Sequence, residues 1–210
     1  MGDAVVILAA GASKRFGSPK QLALWRGRPL IRHAIEEALA VRSNVIAVLG
    51  AHAPRVEQAI FNLPCRRIYA EGWQRGPGAS IKAAVAALPK MTTRALISLV
   101  DLPLVDRFTF RRLFDSPGVL VASSYTDTVG VPAVFASELF GELLQLDDSQ
   151  GAKVLLNRHF EHLTRVENPE AEEDVDTPEA LAVLDESQNP RGGIERVRCT
   201  VAIEGVRHVE

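Results

Sequence analysis

Short, continuous apolar runs alternate along the chain with stretches whose apolar residues recur every three or four positions, and this predicts strands and helices in turn. Ala4–Leu8 (AVVIL) reads as a buried strand, and Val45–Leu49 (VIAVL) as a second that stops at Gly50. Between them Leu30, Ile31, Ala34, Ile35, Ala38 and Leu39 share one helix face, with Pro29 suited to the first helical position. Arg55–Leu63 predicts a helix, Arg66–Tyr69 a short strand and Ser80–Leu88 a further helix. Ala95–Val100 (ALISLV) is another buried strand, closed by Asp101, Leu102 and Pro103. Asp106–Phe114 reads as helix; Val119–Ser123 and Val131–Phe135 read as strands joined through Asp127 and Gly130. Glu138–Leu146, Ala152–Phe160 and Pro178–Glu186 are helical in pattern, and Leu163–Val166 is a strand.

Uniformly apolar strands separated by amphipathic helices are what a parallel sheet covered on both faces requires. The expected fold is therefore α/β and doubly wound, with a mainly parallel sheet and a small antiparallel element near Val119–Phe135. Residues 1–186 make one domain. Residues 187–210 begin as a linker, Ser187–Gly193 (SQNPRGG), and end in a candidate edge strand where Val197, Cys199, Val201 and Ile203 alternate with polar or small residues.

Composition narrows the class. The 210 residues are 47% hydrophobic and 24% charged, enough to bury a core without disulfide or metal staples. Lys and Arg total 24 against 26 Asp and Glu, so no basic excess points to a nucleic acid or an anionic membrane as partner. Cys65 and Cys199 lie far apart and in no CxxC pair, which argues against a disulfide framework or a thiolate zinc site and for a reducing compartment. Gly11, Lys14 and Arg15 cut the first apolar stretch too short to span a bilayer, and no basic segment precedes it. A cytoplasmic location is expected.

In doubly wound sheets, ligands bind beyond the carboxyl ends of the strands. The loop after the first strand, Ala9 to Lys20, holds Gly11, Gly17, Ser13, Lys14, Arg15 and Lys20. Glycines let backbone N–H groups approach a phosphate closely, and the cations neutralise its oxygens. The loop lacks the Gly-Lys-[Ser/Thr] of a Walker A motif, and Ser13 stands where a dinucleotide fingerprint needs its second glycine. A solvated glycine-rich turn is the bland alternative.

Leu8 to Lys20 fits the pattern L-A-A-G-x-S-x-R-x-G-x-x-K with every fixed position filled, and in this it resembles the MobA-like nucleotidyltransferases. The resemblance implies a Rossmann-like nucleotidyltransferase fold and transfer of a nucleoside monophosphate from an NTP. It implies that the loop wraps the triphosphate through Leu8, Ala9, Ala10, Gly11, Ser13, Arg15 and Lys20, with Lys14 at an unconstrained position. Lys20 would stabilise charge growing around the α-phosphorus, and Arg15 would hold the outer phosphates.

Moving charge between phosphate oxygens calls for a divalent cation, and Mg²⁺ takes one or two carboxylates plus water and phosphate oxygens. Asp101, at the tip of the ALISLV strand and followed by Leu102-Pro103, resembles the family's Asp-x-Pro metal motif; an Asx turn is the plainer reading. Asp174-Val175-Asp176-Thr177-Pro178-Glu179 resembles its late Asp-x-Asp-Thr-Pro-Glu segment, so Asp176, then Asp174, is the second candidate ligand. Either Asp176 or Thr177 also suits the cap of the helix beginning near Pro178. The attacking phosphate monoester is already anionic at neutral pH, and no general base is needed.

Trp73, Gly76 and Ser80 match the Trp-x-x-Gly-x-x-x-Ser element of the molybdenum cofactor cytidylyltransferase branch, and Ala10 agrees with that branch; Glu71-Gly72 departs from its Asn-Pro. Gly76, Gly78 and Ser80 at a helix start are thus candidates for nucleotide contact. Gly130-Val131-Pro132 resembles a Gly-His-Pro element with valine for histidine. Asp148-Ser149-Gln150-Gly151-Ala152-Lys153 resembles Gly-Asp-x-Gly-Ala-Arg with Asp147 for its first glycine and one insertion. Pro132, Asp148 and Lys153 are accordingly the candidates for acceptor binding. The implied substrates are CTP and a molybdopterin-type cofactor, the implied metal Mg²⁺, and the implied partner a molybdoenzyme or its chaperone. The rivals are a guanylyltransferase, a sugar-phosphate or phospholactate nucleotidyltransferase, a glycosyltransferase using Asp174-x-Asp176, and a non-catalytic nucleotide-binding module. His159 and His162 read as surface histidines rather than a metal pair.

Overall fold

A computed structural model describes residues 2–126 and 128–188. The 187–210 tail expected from the sequence lies, beyond Gln188, outside the described residues.

The alternation of apolar runs and amphipathic stretches becomes a seven-stranded sheet. Its strands are β1 (Gly2–Ala9), β4 (Val45–Leu49), β5 (Arg66–Tyr69), β6 (Thr92–Leu99), β7 (Leu120–Tyr125), β8 (Thr128–Ala136) and β9 (Thr164–Glu167). The spatial order is β5-β4-β1-β6-β8-β7-β9. β8 pairs antiparallel with both β6 and β7; every other pairing is parallel. The mainly parallel, doubly wound architecture is thus present, and the antiparallel element is β8, inserted between two strands that run the other way. A two-stranded antiparallel hairpin, β2 (Leu24–Trp25) with β3 (Arg28–Pro29), is too short to register as a pattern.

The helices are α1 (Leu30–Leu39), α2 (Ala53–Ala59), α3 (Pro77–Ala86), α4 (Arg107–Asp115), α5 (Phe140–Leu144), α6 (Lys153–Arg158) and α7 (Pro178–Gln188). Strand side chains alternate between two cores. Val5, Ile7 and Leu49 pack with Leu30, Ile31 and Ile35 of α1 and Phe110 and Leu113 of α4. Val6, Ile46 and Val48 pack on the other face with Ile81 and Ala84 of α3, Leu143 of α5 and Leu155 of α6. Several ends differ from expectation for local reasons. Pro29 precedes α1 instead of opening it, because it belongs to β3. α3 starts three residues before Ser80, since Gly76 and Pro77 supply its cap and first turn. The expected helix Glu138–Leu146 divides into a 3-10 turn, Ser137–Leu139, and the short α5.

One ionic clamp ties the sheet's start to its surroundings. The Asp3 carboxylate accepts from Arg42 Nε and Nη2 at 3.0 and 2.9 Å and from Arg94 Nε and Nη2 at 3.1 and 2.8 Å. Both guanidinium groups lie over the Phe114 ring, at 4.2 and 5.4 Å. Burial alone would raise the Asp3 pKa, but the hydrogen bonds and charges of Arg94 and Arg42 outweigh it and hold the carboxyl below its ordinary range. The clamp therefore stabilises the fold above about pH 4, the ordinary aspartate value, and is lost as pH falls through the lower folded value. In urea unfolding, Asp3→Asn is expected to be less stable than the parent at about pH 7, with the gap shrinking at about pH 3. A gap independent of pH would show that the charge contributes nothing.

Candidate active site

The carboxyl ends of β1 and β6 open into a cleft of about 590 Å³. Its lining includes Leu8, Ala9, Ala10, Gly11, Ala12, Ser13, Lys14, Arg15 and Lys20 from the first loop, with Asp101, Asp174 and Asp176. Trp73, Gln74, Gly76, Pro77 and Ser80 contribute from the start of α3. Thirteen of the fourteen residues nominated for nucleotide or metal contact line this cleft, Asp101 from just beyond the end of β6; Gly78 does not.

The loop is folded around its own polar groups. Ser13 takes a left-handed conformation, φ 54°, and its carbonyl accepts from Phe16 N at 3.0 Å and Gly17 N at 3.2 Å. Phe16 is buried in the α1 core and anchors the turn. Among the described residues, the N–H groups of Gly11, Ala12, Ser13, Lys14 and Arg15 donate to no protein acceptor. Five consecutive unpaired donors at a strand's carboxyl end form a concave positive field suited to phosphate oxygens.

Opposite them the acidic segments are held by the backbone. Val175 is buried, 1% exposed, and its N–H donates to the Asp101 carbonyl at 2.9 Å. That bond and the burial of Val175 set Asp174 and Asp176 on either side, next to Asp101. The chain reaches this point from the far edge of the sheet through Asn168, fully buried, which donates to Ser123 Oγ at 3.0 Å and accepts from Arg112 Nη2 at 3.1 Å. His33 of α1 donates from Nε2 to the Pro103 carbonyl at 3.1 Å and steadies the turn after Asp101; burial pushes its pKa down.

Lys20 joins the two halves. Its Nζ lies 2.5 Å from Asp101 Oδ2, 2.9 Å from Asp176 Oδ1 and 3.2 Å from the Val175 carbonyl. Burial would lower the pKa of this ammonium, but Asp101 and Asp176 more than offset that and raise it. Asp174 is pushed up by burial and then by the neighbouring charges of Asp176 and Asp101. Arg15 reaches Asp176 Oδ2 at 2.7 Å from an exposed position, 77% accessible, so solvent weakens that pair and leaves the guanidinium easily redirected.

The chemistry of this donor set fits a hard divalent cation. Asp101 Oδ1 is buried without a hydrogen-bond partner, a costly arrangement that an ion would relieve. Among the described residues no group of three or more His, Cys, Asp or Glu side chains is arranged to hold a metal. A site of one or two carboxylates completed by phosphate oxygens and water suits Mg²⁺ or Mn²⁺.

Other nominated residues sit elsewhere. Gly78 lies outside the cleft lining, under the 147–150 loop: its N–H donates to the Asp148 carbonyl at 2.9 Å, and an added Cβ would overlap the Asp147 carbonyl and come 2.8 Å from that of Gln150. Asp148 pairs with Arg75 Nε at 2.5 Å and with Lys82, which holds its carboxyl below the usual range against a small opposing burial. Asp148 thus braces α3 from outside. Pro132 is buried in β8, and Lys153 is exposed at the start of α6. The structure does not bring these three acceptor candidates together with the cleft. His159 pairs with Glu142 at 3.0 Å and His162 is exposed, in line with surface roles.

Sequence reasoning missed two residues. Gly50, at the end of β4, leaves room for Trp73: a Cβ there would lie 2.7 Å from the indole Cγ and 2.6 Å from the Ala10 carbonyl. Gln21, 1% exposed, lies beneath the loop. A glycine closing a buried strand is a readable signal for the first; the second carried none.

A cleft lined by unpaired N–H groups, a lysine and converging carboxylates at the carboxyl ends of a mainly parallel sheet has the makings of an anion and cation site on an α/β domain. A model of the MobA-like NTP transferase domain matches residues 5–163, and the chain belongs to that family. Nicotine blue oxidoreductase from Paenarthrobacter nicotinovorans is 38% identical over 125 residues, 58% of this chain and 61% of that protein. Bifunctional protein GlmU from Bordetella parapertussis is 36% identical over 124 residues, 56% of this chain and 27% of that protein. The chain spans less than two thirds of the length of these curated relatives. The crystal structure of Rv0371c from Mycobacterium tuberculosis H37Rv superposes with a TM-score of 0.76 at 29% identity, covering 89% of this chain and 98% of that one. The same protein has been solved in complex with manganese.

If the 147–150 loop braces the α3 start as described, Gly78→Ala is expected to cost about 1–3 kcal/mol by overpacking. Gly151→Ala, whose Cβ meets only Pro77 Cγ at 3.9 Å, should be nearly neutral. Equal thermal shifts for the two would contradict the brace.

Proposed function

We propose that the chain is a divalent-cation-dependent nucleotidyltransferase that moves CMP from CTP onto the phosphate of a molybdopterin-type cofactor and releases pyrophosphate. The observation that carries this reading is the row of N–H groups without protein acceptors from Gly11 to Arg15, on residues that line the same cleft as Lys20 and Asp101. Family membership supports nucleotidyl transfer. The choice of CTP and of the acceptor rests on the resemblance of Ala10, Trp73, Gly76 and Ser80 to the cytidylyltransferase branch.

In this reading the loop amides hold the β- and γ-phosphates, and Arg15 turns from Asp176 to the outer phosphate oxygens. Lys20 leans from the carboxylates toward the α-phosphate, where its charge, kept on by Asp101 and Asp176, meets the charge that grows during transfer. An oxygen of the acceptor phosphate forms a bond to the α-phosphorus while the bond to the β-phosphate oxygen breaks, and pyrophosphate departs. No protein base takes part, because the attacking oxygen is already anionic; alignment and charge neutralisation supply the acceleration. Asp101 and Asp176 would hold the cation, which when bound supplies positive charge to the α-phosphate and the leaving group. That Rv0371c has been solved in complex with manganese supports use of a divalent ion. Pro132, Asp148 and Lys153 lie outside the cleft lining, and both their assignment to the acceptor and hand-over to a molybdoenzyme or its chaperone rest on the resemblance alone.

Pyrophosphate release measured with each NTP, with and without molybdopterin, is expected only for CTP plus the pterin. Turnover with GTP, or with a sugar phosphate as acceptor, would replace the substrates but keep the chemistry. Tight CTP binding with no acceptor turning over would favour a non-catalytic module.

Lys20 and a cation compete for the same two carboxylates. Lys20→Met is expected to lower turnover by about a hundredfold or more, yet to tighten Mn²⁺ binding measured without nucleotide by electron paramagnetic resonance. Weaker Mn²⁺ binding in this variant would contradict the shared site.

A further inference from the structure

The phosphate-facing loop solves a problem that its glycines do not solve on their own. A peptide unit's carbonyl and the following N–H point in opposite directions. Freeing a run of N–H groups for a ligand therefore leaves carbonyls pointing into the protein, where each needs a donor. Gln21 provides them. It lies in the 3-10 turn Lys20–Leu22 and is 1% exposed. Its Nε2 donates to the Ala9 carbonyl at 2.9 Å and to the Gly11 carbonyl at 2.7 Å. Its Oε1 accepts from Ser13 Oγ at 3.2 Å, and Ser13 Oγ in turn accepts from the N–H of Lys20 at 3.2 Å. Two donors and one acceptor on one planar amide are all engaged.

We infer that Gln21 is the positioning residue of the nucleotide loop: by holding the Ala9 and Gly11 carbonyls it turns the N–H groups of Ala10 and Ala12 outward, and through Ser13 it fixes the backbone that carries Lys20. The inference rests on the nucleotidyltransferase reading and adds that triphosphate affinity is set by a buried amide at the floor of the cleft that acts through the loop backbone. Other side chains fail in identifiable ways. Leucine leaves two inward carbonyls without their amide donor and the Ser13 hydroxyl proton without its acceptor. Ionised glutamate sets negative charge against both carbonyls. Asparagine is one methylene too short to span Ala9, Gly11 and Ser13.

The effect should be specific to the phosphates that the loop amides hold. Calorimetric titration of Gln21→Leu is expected to give CTP binding weakened about tenfold or more, with CMP binding within about twofold of the parent. In steady state, KM for CTP should rise by a similar factor while kcat changes less. A second variant guards against misfolding of the first. Gln21→Glu keeps one donor when protonated, so its CTP affinity, relative to the parent at each pH, should recover toward acid. CTP affinity equal to the parent's in the leucine variant, equal losses for CTP and CMP, or a flat pH ratio for the glutamate variant would each overturn the assignment. An unaltered chain that binds no nucleoside triphosphate would instead bring down the transferase reading beneath it.

Discussion

The cleft depends on one ammonium group. Lys20 Nζ is shared between Asp101, from the tip of β6, and Asp176, from the segment before α7, so three parts of the chain far apart in sequence meet at a single charge. Without it, two or three carboxylates would face one another in a partly buried space, as the raised Asp174 already shows. In the function proposed above, the same ammonium meets the charge that develops on the transferred phosphoryl group. Holding the site together and serving the chemistry are therefore one requirement on this residue.

The second requirement is backbone accounting. A phosphate loop must leave amides unpaired, yet the carbonyls it turns inward must still be bonded. The left-handed Ser13 makes the turn, and a buried amide completes it. Phe16 in the core and the Val175–Asp101 backbone bond then fix the loop and its acidic counterpart to the sheet. Side-chain chemistry at the cleft rests on these main-chain ties.

Much of this was legible in the sequence. The central strands are buried on both faces, so their apolar runs stand out without ambiguity, and a strand tip followed by glycine, serine and cations marks a ligand loop. The Leu8–Lys20 loop and Asp101 stand out for that reason, whereas Asp174 and Asp176 were marked by the resemblance of the Asp174–Glu179 segment alone. Strand order was not legible: nothing in Val131–Phe135 says that β8 inserts beside β6. Gln21 was hidden because a glutamine beside a lysine reads as surface until the loop folds back over it. Asp148 was read toward the acceptor because its partners, Arg75 and Lys82, are more than sixty positions away, where spacing carries no information.

The return of the chain from β9 to the cleft has a temporal consequence. Among the described residues every strand of the sheet is complete by Glu167, whereas Asp176 comes afterwards. During synthesis the strands and the first loop can therefore assemble before Lys20 meets its second carboxylate. A chain cut before Val175 would keep every described strand but leave Lys20 with one of its two counter-charges, so completion of the cleft is a later event than formation of the sheet.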